Sequence, residues 1–199
     1  MLTTQSKNSA IASCIQSYLK RDIHFSPEFT ELFKVKTYAK GAAYIRSDDL
    51  WDSFAVVVKG VFRLYYIDEQ GKEHTKGIFC ENTLLAPCAP SAIAHPINFN
   101  IDSFEKTEVL SANYKQVREY LESSDWGASL LISMLERLLD EKVEREYIWL
   151  TLDAESRYLR FLAKNSTLAK RLPLYIIANY LGMSDVTLSR IRKKLNFLT

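Results

Sequence analysis

The chain has 199 residues, of which 47% are hydrophobic and 25% charged, an ordinary globular balance that excludes disordered, collagen-like and disulfide-scaffold proteins. The length suits a medium domain followed by a small one, each with a core of its own. No apolar run approaches the roughly 20 residues that cross a bilayer, Met1 to Lys7 leads into no secretory signal, and Cys14, Cys80 and Cys88 lie in no close-spaced pair, as expected of reduced thiols in a cytoplasmic protein.

The first twenty residues read as a helix with Ile11, Ile15, Tyr18 and Leu19 on one face. From Leu32 the period shortens. Val35 to Tyr38, Ala43 to Ile45, Phe54 to Val58, Val61 to Ile67 and Thr75 to Phe79 are β-branched or aromatic segments, parted by the turn signals Lys40-Gly41, Ser47-Asp48-Asp49, Lys59-Gly60 and Asp68-Glu69-Gln70-Gly71. The clearest hairpin joins Val61 to Ile67 with Thr75 to Phe79. A loop holding Pro87, Pro90 and Pro96 follows, and then Ile97, Phe99 and Ile101 alternate with Asn98, Asn100 and Asp102, as a strand with one wet face does. Thr107 to Leu110 is expected to continue or partner that strand. Many short strands without βαβ alternation predict an antiparallel barrel or sandwich. Its lining, Phe62, Leu64, Phe79 and Phe99, suits either a packed core or a small apolar ligand.

Near Tyr114 the period becomes helical again, and a long helix is expected from about Ser124 to beyond Tyr147. Ile132, Leu135, Leu139, Val143, Tyr147 and Leu150 recur at intervals of three or four, with Leu131, Leu138 and Ile148 widening the stripe. Such a stripe is covered by its own β domain, by a second copy of the chain, or by both. The first five of these residues are the candidate homodimer seam.

A further helix is expected from about Asp153 to Lys164, with Tyr158, Leu159, Phe161 and Leu162 on its buried side. Then comes LPLYIIANYLGMSDVTLSRIRKKL. Pro173 suits a first helical turn, where no amide partner is needed, and Ile176, Ile177, Tyr180 and Leu181 form an apolar side. Gly182 suits a sharp turn with positive φ, Ser184 caps a second helix, and Leu188, Ile191 and Leu195 supply that helix's buried row. The opposite face carries Asp185, Val186, Ser189 and Arg190, with Thr187, Arg192, Lys193 and Lys194 at its edges or end. Charge collects in the same region. From Ser156 to Thr199 nine basic residues face one acidic residue, Asp185, a balance of +8, so that the other 155 residues of a chain with net charge +2 carry −6. A basic unit of this kind attracts a polyanion. A helix fits the major groove of double-stranded DNA, where Arg190 can read guanine with two hydrogen bonds and Val186 can meet a thymine methyl. Ser184, Thr187 and the free amides of the helix start suit phosphate. Asp185 repels phosphate but is favoured at a helix N-terminus and can accept from a cytosine amine.

This segment resembles the helix-turn-helix of the CRP/FNR superfamily of bacterial transcription regulators, most clearly at Ala178, Leu181, Gly182, Ser184, Thr187, Leu188, Ser189, Arg190 and Ile191. Lys40-Gly41, Val57-Val58-Lys59-Gly60-Val61, Tyr65, Gly71 and Lys72 resemble that family's β domain. The resemblance implies an α+β protein: a β-roll of the cyclic-nucleotide-binding type with an N-terminal helix (residues 1–123), a central dimerisation helix (124–152) and a helix-turn-helix domain (153–199). It also implies RNA polymerase as a further partner. Departures from the family pattern limit the effector. The stretch from Glu81 to Ala92 has no glycine and no arginine, so a cyclic nucleotide would lack both a close backbone approach and a bidentate clamp, and no cyclic AMP site is expected. Only Cys14 lies near the N-terminus, too few for the family's iron-sulfur cluster, and His24, His74 and His95 have no paired motif. No cofactor is expected, and the effector is open. Four residues, Asn196 to Thr199, follow Leu195, so the terminal wing hairpin is expected to be missing or shortened. Two other readings compete: a cupin-like metal enzyme, which lacks the clustered histidines, and a protein-interaction module, which leaves the basic C-terminal balance unexplained.

Overall fold

The computed structural model describes residues 3–195. Helix α1 (Thr4–Leu19) begins where the Thr3 hydroxyl accepts from the Ser6 amide at 3.2 Å. Its buried row is Ile11, Cys14, Ile15 and Tyr18, with Cys14 added to the expected set. Burial pushes the Cys14 thiol up to about 12, so it acts as a small apolar group. A single turn, α2 (Pro27–Glu31), sends Phe29 into an aromatic cluster with Phe33, Tyr120 and Trp126.

Among the described residues eight strands follow: β1 (Lys34–Tyr38), β2 (Ala43–Ile45), β3 (Ser53–Lys59), β4 (Phe62–Ile67), β5 (Glu73–Phe79), β6 (Leu84–Leu85), β7 (Asn100–Ser103) and β8 (Thr107–Asn113). They form two antiparallel four-stranded sheets, ordered β1-β8-β3-β6 and β2-β7-β4-β5. The expected hairpin is β4 with β5, Phe62 opposite Phe79. Strand β3 is buried on both faces, which is why its sequence is a continuous apolar run. Phe54 and Val56 pack toward α1, while Ala55 and Val57 face the interior with Phe62, Leu64, Ile101 and Val109. Gly60, at φ 104°, makes the β3–β4 turn, and a Cβ there would lie 2.4 Å from the Thr107 hydroxyl. The interior is packed by rings: Tyr38, Tyr44 and Phe62 meet at 5.2–5.7 Å, and Phe99 meets Trp51 and Tyr66 edge-on. Of the expected lining, Phe62, Leu64 and Phe99 are buried in this cluster and Phe79 packs partly buried against it.

Two strand expectations change. Residues 107–110 neither extend nor pair with β7; β8 lies between β1 and β3 in the other sheet, because the turn at 104–106 carries the chain across the roll. The strand expected from Ile97 starts only at Asn100, and Asn100 is buried, its side-chain oxygen accepting from the Ser47 amide at 3.2 Å. The proline-containing loop also holds a short helix, α3 (Pro90–Ala94).

Helix α4 (Tyr114–Ser123) is capped by Asn113. Helix α5 (Gly127–Thr151) can start close behind it only because residue 127 is glycine, since a Cβ there would stand 2.0 Å from the Leu121 carbonyl oxygen. After burying Gly127, Leu130 and Met134, α5 runs on with its apolar stripe uncovered. Helices α6 (Ala154–Lys164), α7 (Ser166–Ala169), α8 (Leu174–Tyr180) and α9 (Asp185–Lys194) complete the described residues. On α6, Tyr158 and Phe161 are buried as expected, but Leu159 is exposed and Leu162 half-buried. Tyr158, Leu172, Ile176, Ile177 and Leu188 of the C-terminal region share a cluster with Val61 of the β-roll, and Ile78, Cys80 and Phe104 of the roll pack against it partly buried. A wing after α9 would fall at residues 196–199, outside the described residues.

Candidate nucleic-acid interface

Helix α8 begins after Pro173 and buries Ile176, Ile177 and Ala178. It ends in a turn where the Met183 amide donates to the Ala178 carbonyl at 3.0 Å and Gly182 takes φ 65°. The aromatic ring of Trp149, on α5, fills the space above Gly182; a Cβ would lie 2.2 Å from its Cη2. The Ser184 hydroxyl then accepts from the Thr187 amide at 3.1 Å and meets the Thr187 hydroxyl at 2.9 Å, so both expected phosphate donors already serve as the cap of α9. Leu188 and Ile191 are buried beneath that helix.

The outer face of α9 presents Asp185, Val186, Ser189, Arg190 and Lys193 to solvent. Val186 is 59% exposed. The other cations of α9 turn away from this face. Arg192 is half-buried and donates to the Tyr158 hydroxyl at 3.3 Å, and Lys194 pairs with Glu155 at 2.6 Å.

Most of the remaining C-terminal cations are also engaged within the chain. Arg157 donates to the Leu181 carbonyl at 2.9 Å and lies over the Trp149 ring. Arg160 and Lys164 both bind Glu144, and their hydrogen bonds lower its pKa. Arg171 meets Glu81 with two hydrogen bonds, 2.8 and 2.9 Å, and also pairs with Glu105. That guanidinium is the main reason the Glu81 carboxyl is held down at about 2, and the same bonds raise the pKa of Arg171. Among the described residues Lys170, Arg190 and Lys193 have no ion pair. The basic balance is real, but Glu81, Glu105, Glu144 and Glu155 all precede residue 156 in sequence and return to it in space. A sum taken over a stretch of chain cannot see them. The free cations that remain include both exposed ones on the outward face of α9.

The α5 stripe is the second surface. Ile132, Leu135, Leu139, Val143 and Tyr147 are between 48% and 60% exposed, and Leu150 beyond them is 77% exposed. Among the described residues no element covers this row. The histidines His24, His74 and His95 are exposed, and His74 pairs with Asp68 at 2.6 Å. Among the described residues no three His, Cys, Asp or Glu side chains gather as a metal site, and no helix is long and apolar enough to cross a membrane.

No family model matches the chain, and neither does any curated protein. Solved structures do match. FixK2 from Bradyrhizobium japonicum superposes with a TM-score of 0.74 at 17% identity, over 83% of this chain and 85% of that one. A CooA mutant from Carboxydothermus hydrogenoformans gives 0.71 at 17% identity, over 92% and 84%. The c-di-GMP-responsive global regulator CLP of Xanthomonas campestris gives 0.68 at 16% identity, over 93% and 91%. The chain has the fold of these proteins from roll to helix-turn-helix, the fold that the CRP/FNR resemblance implied.

Proposed function

We propose that the chain is a transcription regulator that binds double-stranded DNA sequence-specifically as a homodimer and reads an inverted repeat. The observation that carries this is the outward face of α9, where Asp185, Val186, Ser189 and Arg190 stand clear of the chain on a helix held from below by Leu188 and Ile191. A rigid helix with a free arginine and an exposed apolar side chain matches what major-groove readout requires. In this reading Arg190 contacts guanine, Val186 a thymine methyl and Lys193 a phosphate. Ser184 and Thr187 present the helix start to the backbone, while Arg192 and Lys194 act mainly by holding α9 to α6.

Residues 1–123 serve as a sensor-like roll, 124–152 as the dimer helix and 153–199 as the DNA-binding unit. The uncovered row from Ile132 to Tyr147 supports the dimer, since an apolar stripe of that length on a helix is normally buried against something. The protein acts in the cytoplasm without catalysis, and RNA polymerase is its second partner at a promoter. Its effector is not a cyclic nucleotide, although CLP is c-di-GMP-responsive. The stretch from Glu81 to Ala92 has neither glycine nor arginine, Glu81 is occupied by Arg171, and aromatic rings fill the roll. The test is enrichment of DNA fragments by the purified protein, followed by their sequencing. A palindromic consensus with salt-sensitive binding is expected; a folded protein that enriches no sequence in cell extract or in buffer refutes the reading.

A further inference from the structure

The two residues of the α5–α6 connection, Leu152 and Asp153, would by themselves leave the helix-turn-helix free to swing. Three sets of contacts prevent it. Strand β5 is the edge of its sheet, and an edge presents unpaired amides and carbonyls. Asn179 of α8 satisfies them as a neighbouring strand would. Its side-chain NH2 donates to the Glu73 carbonyl at 2.8 Å, and its side-chain oxygen accepts from the Thr75 amide at 2.5 Å. Arg145 of α5 reaches the same place from the other side. It donates to the Lys76 carbonyl at 2.7 Å, the Thr75 carbonyl at 3.2 Å and the Tyr180 carbonyl at 3.4 Å. One guanidinium thereby joins roll, central helix and the end of α8. At the far end of α8, Arg171 is gripped by Glu81 and Glu105, and Glu81 also accepts from the Gly60 amide at 2.7 Å.

We infer that Asn179, Arg145 and Arg171 are positioning residues that clamp the helix-turn-helix to the roll edge, so that the distance and angle between the two recognition helices of a dimer are fixed before DNA is met. This rests on the DNA-binding reading above. The clamp positions α9 and does not mask it: Asp185, Val186, Ser189 and Arg190 remain exposed with every clamp contact in place. A fixed pair of recognition helices discriminates between half-site spacings, whereas a pair on loose tethers tolerates them, because tethered units can rotate to follow the groove.

The experiment compares the wild type with Asn179→Asp and with Asn179→Ala/Arg171→Gln. Asn179→Asp keeps the side-chain volume and the acceptor for Thr75 but turns an acceptor toward the Glu73 carbonyl. Each protein is titrated with the enriched operator, with the operator lengthened at its centre by about five base pairs, half a helical turn, and with a single half-site. The wild type is expected to bind the lengthened operator at least about tenfold more weakly than the native one, a difference of about 1.4 kcal/mol. In the clamp variants that ratio falls toward one, half-site affinity stays within about twofold, and exchange of the Thr75 amide hydrogen accelerates. Folded variants that keep the wild-type spacing ratio overturn the clamp while leaving the DNA reading standing. A wild type that binds no duplex, or binds both spacings equally, removes the dimeric DNA reading and the clamp with it.

Discussion

Replacing Leu135 and Leu139 together by Glu tests the surface on which the dimer depends. In the chain by itself these side chains are 48% and 60% exposed, so roughly half of each remains to be covered by a partner. Taking about 2 kcal/mol for complete burial of a leucine, covering them contributes about 1 kcal/mol each per protomer, and about 4 kcal/mol over both sites of a symmetric dimer. Loss of that amount raises the dissociation constant about a thousandfold, before the cost of placing like charges in an apolar seam. The fold should survive, because α5 anchors itself through Leu130 and Met134 and neither substituted residue belongs to that buried set. Sedimentation equilibrium from nanomolar to high micromolar concentration measures the shift, since dimer population follows mass action, and circular dichroism checks the fold. A wild type that is monomeric throughout this range, or a double variant that associates as the wild type does, refutes the assignment of the stripe.

Arg190→Ala should weaken binding to the preferred operator by about 1 to 3 kcal/mol with a smaller effect on scrambled duplex; equal losses on both would remove its base-reading role. Lys193→Ala should make the salt dependence shallower by about one unit per lost phosphate contact, whereas Lys194→Ala, whose ammonium is paired with Glu155, should change it less. Gly182→Ala combines positive φ with a collision against Trp149 and should destabilise the chain by about 2 to 4 kcal/mol, read as a fall in Tm; an unchanged Tm would mean that Trp149 can move aside. The carboxyl of Glu81 is depressed from 4.5 to about 2, so its ion pair stabilises the folded state above about pH 4.5 and is lost as pH falls toward 2. Urea midpoints across that window should drop for the wild type and drop less for Glu81→Gln, and parallel curves would show that the pair carries no pH dependence.

What could be read from the chain was whatever rests on neighbours in sequence. The periods of α1, α5 and α9, the β4–β5 hairpin across Asp68 to Gly71, the glycine of the turn at Gly182 and the Ser184 cap all depend on residues a few positions apart, and local backbone preference and side-chain spacing encode them directly. The outward set on α9 was legible for the same reason, because helical spacing separates Leu188 and Ile191 from Val186 and Arg190. Tertiary structure decided the rest. The placement of β8 between β1 and β3 depends on which sheet the chain enters after residue 106, and alternation within a strand is the same in either sheet. Alternation alone places Asn100 on the wet face, because its partner, the Ser47 amide, lies more than fifty positions away. The standing of the C-terminal cations was likewise non-local. Arg171, Arg160, Lys164 and Lys194 carry their full charge in any count, but Glu81, Glu105, Glu144 and Glu155 neutralise them only once the fold brings them within hydrogen-bond reach, since attraction between charges depends on distance in space and not on separation along the chain.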